Sequence, residues 1–84
     1  MQRKNMISAA QIRAARGLLN WTRQRLAEES GVPLSTLADY EMGRTASMLT
    51  ANAGKLVAVL QREGVKFIEV ESDEGAGVRW KVAK

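Results

Sequence analysis

The chain has no cysteine, no histidine, one proline, one tyrosine and one phenylalanine among its 84 residues. Without cysteine there is no disulfide, and nothing points to an oxidising compartment. Without cysteine or histidine, thiolate and imidazole metal sites are excluded. The commonest general base and the commonest nucleophile–base pairs are missing too. No two acids stand out as a catalytic pair, so the expectation is a protein that is not an enzyme and needs no cofactor. No run approaches the roughly 18 apolar residues that span a membrane. The opening "MQRKNMISAA" is basic but has no apolar stretch behind it, so it does not read as a signal peptide. A cytoplasmic location is expected.

What is present is charge, unevenly spread. The net charge is +4. Most basic residues lie before position 69, and Arg3, Lys4, Arg13 and Arg16 crowd the start. Glu69, Glu71, Asp73 and Glu74 form one acidic stretch, and "GVRWKVAK" at the end is basic again. A basic body suits a polyanionic partner, although ordinary solubility charge is the plainer reading. A chain of this length makes one domain with a modest core, for which self-association is a reasonable expectation.

Hydrophobic spacing divides the chain. Ser8 is a helix cap, and Ile12, Ala15 and Leu19 form the buried stripe of a helix ending near Asn20. Thr22 caps a second helix, "RQRLAEES", with Leu26 and Ala27 inward and Gly31 as its stop. Pro33 opens a third, at a position where its missing N–H costs nothing. Leu37 and Tyr40 face inward on it, and Gly43 ends it. A fourth helix is expected over about 49–63, with Leu49, Leu56, Val59 and Leu60 inward and Gly64 beyond. The tail then changes period. "VKFIEV" and "VRWKV" are β-branched and aromatic, and Val78, Trp80 and Val82 alternate with Arg79 and Lys81, which predicts a β-hairpin.

Ala27, Gly31 and Leu37 have a joint meaning. Two helices crossing steeply through a short turn need a small residue at the crossing, a turn residue free to take positive φ, and an aliphatic plug. Those three positions supply them, which points to a helix-turn-helix.

The stretch "QIRAARGLLNWTRQRLAEESGVPLSTLADYEMGRT" resembles the Cro/C1-type (Xre) helix-turn-helix family, whose fold is that of phage lambda-like repressors. Arg16, Leu19, Trp21, Leu26-Ala27, Gly31-Val32, Ser35-Thr36-Leu37, Glu41 and Gly43 fall in its register over about residues 8–60. "AARGLLNWT", "GVKFI" and "GVRWK" are similar to short proteobacterial members. The resemblance implies a mainly α, lambda-repressor-like bundle of four helices with a short C-terminal hairpin. It implies sequence-specific binding of double-stranded DNA as a homodimer on a palindromic operator. It also implies that Arg16 and Glu41 pair across the first and third helices. Residues 1–64 would form the DNA-binding part, and 65–84 a hairpin of the same domain that is expected to dimerise it.

The expected DNA-facing set is Arg16, Thr22, Arg23, Leu34, Ser35, Thr36, Asp39 and Arg44. Arg23 stands where the family usually has a phosphate-contacting Gln, and Arg25 is a further candidate phosphate contact. Leu34 and Asp39 stand where the family often has Gln or Arg. Leu34 either touches a thymine methyl or packs in the turn beside Pro33. Ser35 and Thr36 either donate to phosphate and base edges or help cap their own helix. Asp39 either accepts from cytosine N4 or pairs with a nearby arginine. Trp21 and Trp80 suit core or interface positions better than base stacking. The leading expectation is a dimeric repressor of its own or a neighbouring operon, of a size that suits a mobile genetic element. An antitoxin with a protein partner, and a protein-binding antagonist that lost DNA binding, are the alternatives.

Overall fold

The computed structural model describes residues 7–45, 50–70 and 75–82. Arg3, Lys4, Leu49 and residues 71–74 of the acidic stretch lie outside the described residues. Four helices come first: α1 (Ala9–Leu19), α2 (Arg23–Ser30), α3 (Leu34–Glu41) and α4 (Thr50–Arg62). An antiparallel pair follows, β1 (Val65–Ile68) and β2 (Gly77–Trp80). α2 packs on both α3 and α4, α1 on α3 and the hairpin, and α4 on β1.

The expected stripes converge. Ile12 and Ala15 from α1, Leu26 and Ala27 from α2, Val32 from the turn and Leu37 from α3 form one buried cluster with Leu56, Val59 and Leu60 of α4. Leu37 is fully buried, as the plug between α2 and α3 must be. Burying a side chain of that size contributes about 1.5–3 kcal/mol, so a smaller residue there loosens the crossing of α2 and α3 directly.

The ends of these helices are chemically specified. Ser8 caps α1 by accepting from the Gln11 amide at 3.1 Å. Thr22 caps α2 by accepting from the Arg25 amide at 3.0 Å. Gly31 takes φ +80, a conformation costly for residues with a Cβ. Its N–H returns to the Ala27 carbonyl at 2.9 Å. Ser30 Oγ donates to that same carbonyl and accepts from the Val32 N–H, so the turn into α3 leaves few backbone groups unbonded.

The hairpin is not an appendage. Val65 lies opposite Trp80 and Phe67 opposite Val78, so these four side chains share one face. Val65 belongs to the core, and the other three pack against it. The opposite face carries Lys66 and Arg79 side by side, both exposed. One expectation needs correcting. Val82 does not extend the face of Val78 and Trp80: β2 stops at Trp80, a bend follows, and Val82 is 70% exposed. The physical reason is that β1 begins at Val65, directly after Gly64. The last bond of the pair runs from the Lys81 N–H to the Gly64 carbonyl, and no strand lies opposite Val82.

Gln11 joins the helices to the hairpin, which the sequence reading missed. This residue is buried although it is polar. Its Oε1 accepts from the Ser8 N–H at 2.9 Å, completing a reciprocal capping box. Its Nε2 donates to the carbonyls of Ile68 at 3.2 Å and Gly77 at 3.0 Å, at the loop end of the strand pair. One amide therefore closes the start of α1 and fastens the hairpin to it. Gln11→Ala is expected to lower stability by about 1–3 kcal/mol, because two partly buried carbonyls lose their donor. Urea unfolding checks this, and an unchanged midpoint would mean that water replaces the amide at no cost.

Candidate nucleic-acid interface

The second helix of the pair, α3, turns a distinct surface outward. Leu34 and Ser35 are exposed, Thr36 and Asp39 are half-buried, and Met42 just past the helix end is 53% exposed. Pro33 occupies the cap position and supplies no side-chain acceptor. Neither Ser35 nor Thr36 has a side-chain hydrogen bond among the described residues, so neither hydroxyl is consumed in capping α3. Leu34 is 45% exposed.

Behind this surface lies a buried carboxylate. The Glu41 side chain is fully buried at the end of α3. Arg16 grips it in a fork, with Nε donating to Oε2 at 3.1 Å and Nη2 to Oε1 at 2.8 Å. Arg23 adds a third bond, Nε to Oε1 at 3.3 Å. Arg13 Nη1 donates to the Glu41 main-chain carbonyl at 2.6 Å. Arg16 also clamps the corner between α1 and α2, with Nη1 donating to the Trp21 carbonyl at 3.1 Å. Charge-assisted, forked bonds of this kind fix orientation as well as energy. The expected pairing of Arg16 with Glu41 is therefore present, while the additions of Arg13 and Arg23 went unread in the sequence. Arginine reaches far enough that its partner is set by the fold, and only the shared helical face of Arg13 and Arg16 hints at it.

The remaining charges are also ordered. Asp39 pairs with Arg44 at 3.3 Å, both partly in solvent. Arg25 lies over the Trp21 ring, 4.5 Å from its centroid, and bonds Glu29 at 3.0 Å. Trp21 thus packs one side against the core and offers the other to a cation. Glu29 also receives Arg62 of α4 at 3.0 Å. Hydrogen bonds from Arg25 first and Arg62 second hold its carboxyl below the ordinary range. Thr22 is exposed at the start of α2, beside Arg23. The structure therefore brings Arg16, Thr22 and Arg23 together at one corner, and Leu34, Ser35, Thr36, Asp39 and Arg44 along α3 and just beyond it.

A family model described as helix-turn-helix matches residues 12–63, more than half of the chain. The chain belongs to the Cro/C1-type (Xre-like) helix-turn-helix family. This is a family of DNA-binding transcriptional regulators. In such regulators the second helix of the motif enters the major groove, and here that helix is α3. A search of curated proteins found no match. Among the described residues, no helix is long and apolar enough to cross a membrane.

Removing the Glu41 carboxylate leaves Arg16 and Arg23 without their shared partner. Glu41→Ala is expected to cost about 3 kcal/mol, the lower end of the range for breaking a buried pair, because both arginines reach solvent. Thermal unfolding checks this, and an unchanged midpoint would mean that the arginines rehydrate freely.

Proposed function

We propose that the protein is a sequence-specific repressor that binds a palindromic operator as a homodimer, with α3 of each copy in the major groove. The observation that carries this reading is the setting of α3. Its outer surface holds two hydroxyls with no side-chain partner among the described residues. Arg13, Arg16, Arg23 and Arg44 all bond to α3 residues and bring positive charge to its borders. One buried Glu41 and one Asp39 do not neutralise four arginines, so the surface keeps an excess of positive charge suited to phosphate. In this reading Arg16, Thr22, Arg23 and Arg44 meet the backbone, and Leu34, Ser35, Thr36 and Asp39 meet bases.

Dimerisation in this reading uses the hairpin. Its apolar face packs on α1 and α4 of the same chain, and its outer face is basic at Lys66 and Arg79, so neither face suits a second copy. The strand edges and the exposed Val70 and Val82 at its two ends are what a partner copy can cover. Val82→Glu is expected to shift the protein from dimer to monomer in sedimentation equilibrium without altering its circular dichroism. A variant that stays dimeric would move the interface elsewhere, with α4 as the next candidate.

The test of DNA binding is a mobility shift on the DNA upstream of the protein's own gene. With about three to five phosphate contacts per subunit, the log–log salt slope of a dimer is expected to lie at about −5 to −9. Arg23→Ala should weaken specific and random DNA alike. Ser35→Ala and Thr36→Ala should weaken the specific site more, by about 1–3 kcal/mol each where a base contact is lost. Equal losses on both DNAs for all three variants would place the reading surface elsewhere. A flat salt response would favour a protein-binding antagonist, for which the exposed Leu34 and Met42 would serve as the contact.

A further inference from the structure

Four large apolar side chains are exposed among the described residues: Leu34, Met42, Val70 and Val82. Two flank the hairpin. The other two belong to α3 and its cap, and they are in register. Leu34, Ala38 and Met42 are spaced by four residues, so they form one line along a flank of the helix, beside the outermost positions Ser35 and Asp39. Ala38, between them, is half-buried and adds a methyl to the same line. Eight residues of helix span about 12 Å, the length of about three to four base steps at roughly 3.4 Å each.

An apolar ridge on the surface of a small protein calls for an occupant. The arginines that bond to α3 border this one with positive charge, which favours a nucleic acid over an apolar protein segment. In the major groove, the one apolar feature that a base pair offers is the C5-methyl group of thymine. Asp39, beside the ridge, adds a bias. Its carboxylate repels the paired acceptors of guanine, N7 and O6, and Arg44 holds it in place.

We propose that the apolar flank of α3 selects its operator by methyl groups, with Leu34 as the principal reader of a thymine methyl and Met42 extending the contact three to four base pairs along the groove. This rests on the reading of α3 as the major-groove helix. It adds that specificity comes from apolar contact with C5-methyls rather than from a fork of hydrogen bonds to guanine. The ridge should accept 5-methylcytosine in place of thymine at a contacted position better than it accepts cytosine.

The experiment is selection of bound duplexes from a random-sequence pool, followed by resynthesis of the best duplex with deoxyuridine replacing thymidine. Deoxyuridine keeps every hydrogen bond and removes only the methyl. The intact protein is expected to lose affinity about fourfold for each contacted methyl removed, equivalent to about 0.8 kcal/mol. Leu34→Ala should bind the thymidine duplex more weakly and lose most of the discrimination, and Met42→Ala should lose the rest. Both side chains are exposed, so the variants are expected to fold, which circular dichroism checks. Equal binding of the two duplexes by the intact protein overturns the proposal while leaving the DNA-binding reading intact. So does discrimination that survives both substitutions, since it would then come from duplex shape. A pool from which no sequence is enriched overturns the DNA-binding reading itself.

Discussion

The setting of α3 depends on one buried carboxylate. Glu41 sits at the C-terminal end of α3, where the helix dipole disfavours negative charge. It is tolerated there because Arg16 from α1 and Arg23 from α2 both bond to it, while Arg13 satisfies its main-chain carbonyl. Last-turn carbonyls of a helix otherwise lack partners. The node therefore joins three helices through a single residue. Its effect reaches beyond stability. A fully buried carboxylate holds Arg16 and Arg23 in fixed poses, so both side chains have already lost rotamer freedom on folding.

The other end of the molecule is fastened by a neutral counterpart. Gln11 closes the first turn of α1 and donates to both strands. The Tyr40 hydroxyl donates to the Ile7 carbonyl at 2.7 Å, tying α3 back to the segment before α1. α1 thus acts as a spine, with Gln11 holding the hairpin and Arg13 and Arg16 holding α3. Among the described residues, this geometry leaves the Ser35 and Thr36 side chains of α3 free of internal hydrogen bonds. It also explains how a chain without cysteine keeps the short α3 in a set orientation. Eight residues of helix would be marginal alone, and their order comes from Leu37, Tyr40 and Glu41 on the inner side.

Much of this was legible in the sequence, for physical reasons. Caps are local, so Ser8 and Thr22 announced two helix starts, and Gly31 announced a left-handed turn. The crossing of α2 and α3 was legible because steep packing demands Ala27, Gly31 and Leu37 together. The pairing of Arg16 with Glu41 came from the family register. What escaped was long-range and polar. Gln11 looks like a solvated residue unless its place three after Ser8 is taken as half of a capping box, and its bonds to Ile68 and Gly77 have no local signal at all. Arg13 and Arg23 looked like free cations because an arginine's partner depends on which helix the fold brings near. Val82 was over-read: alternation continues past the strand, but the pairing partner does not. The exposure of Met42 on the line of Leu34 follows from a four-residue spacing that was present and unread.

The central claim is that the Glu41 node holds α3 in place. Amide hydrogen exchange on the Glu41→Gln variant tests it most directly. Glutamine keeps the shape and removes the charge that gathers the arginines. Exchange is expected to quicken in α3 and in the first turn of α2, while amides of α4 and the hairpin, which rest on the apolar core and on Gln11, keep their protection relative to global unfolding. A uniform change over all the helices, or no change in α3, would contradict the account, because the orientation of α3 would then come from the apolar core alone.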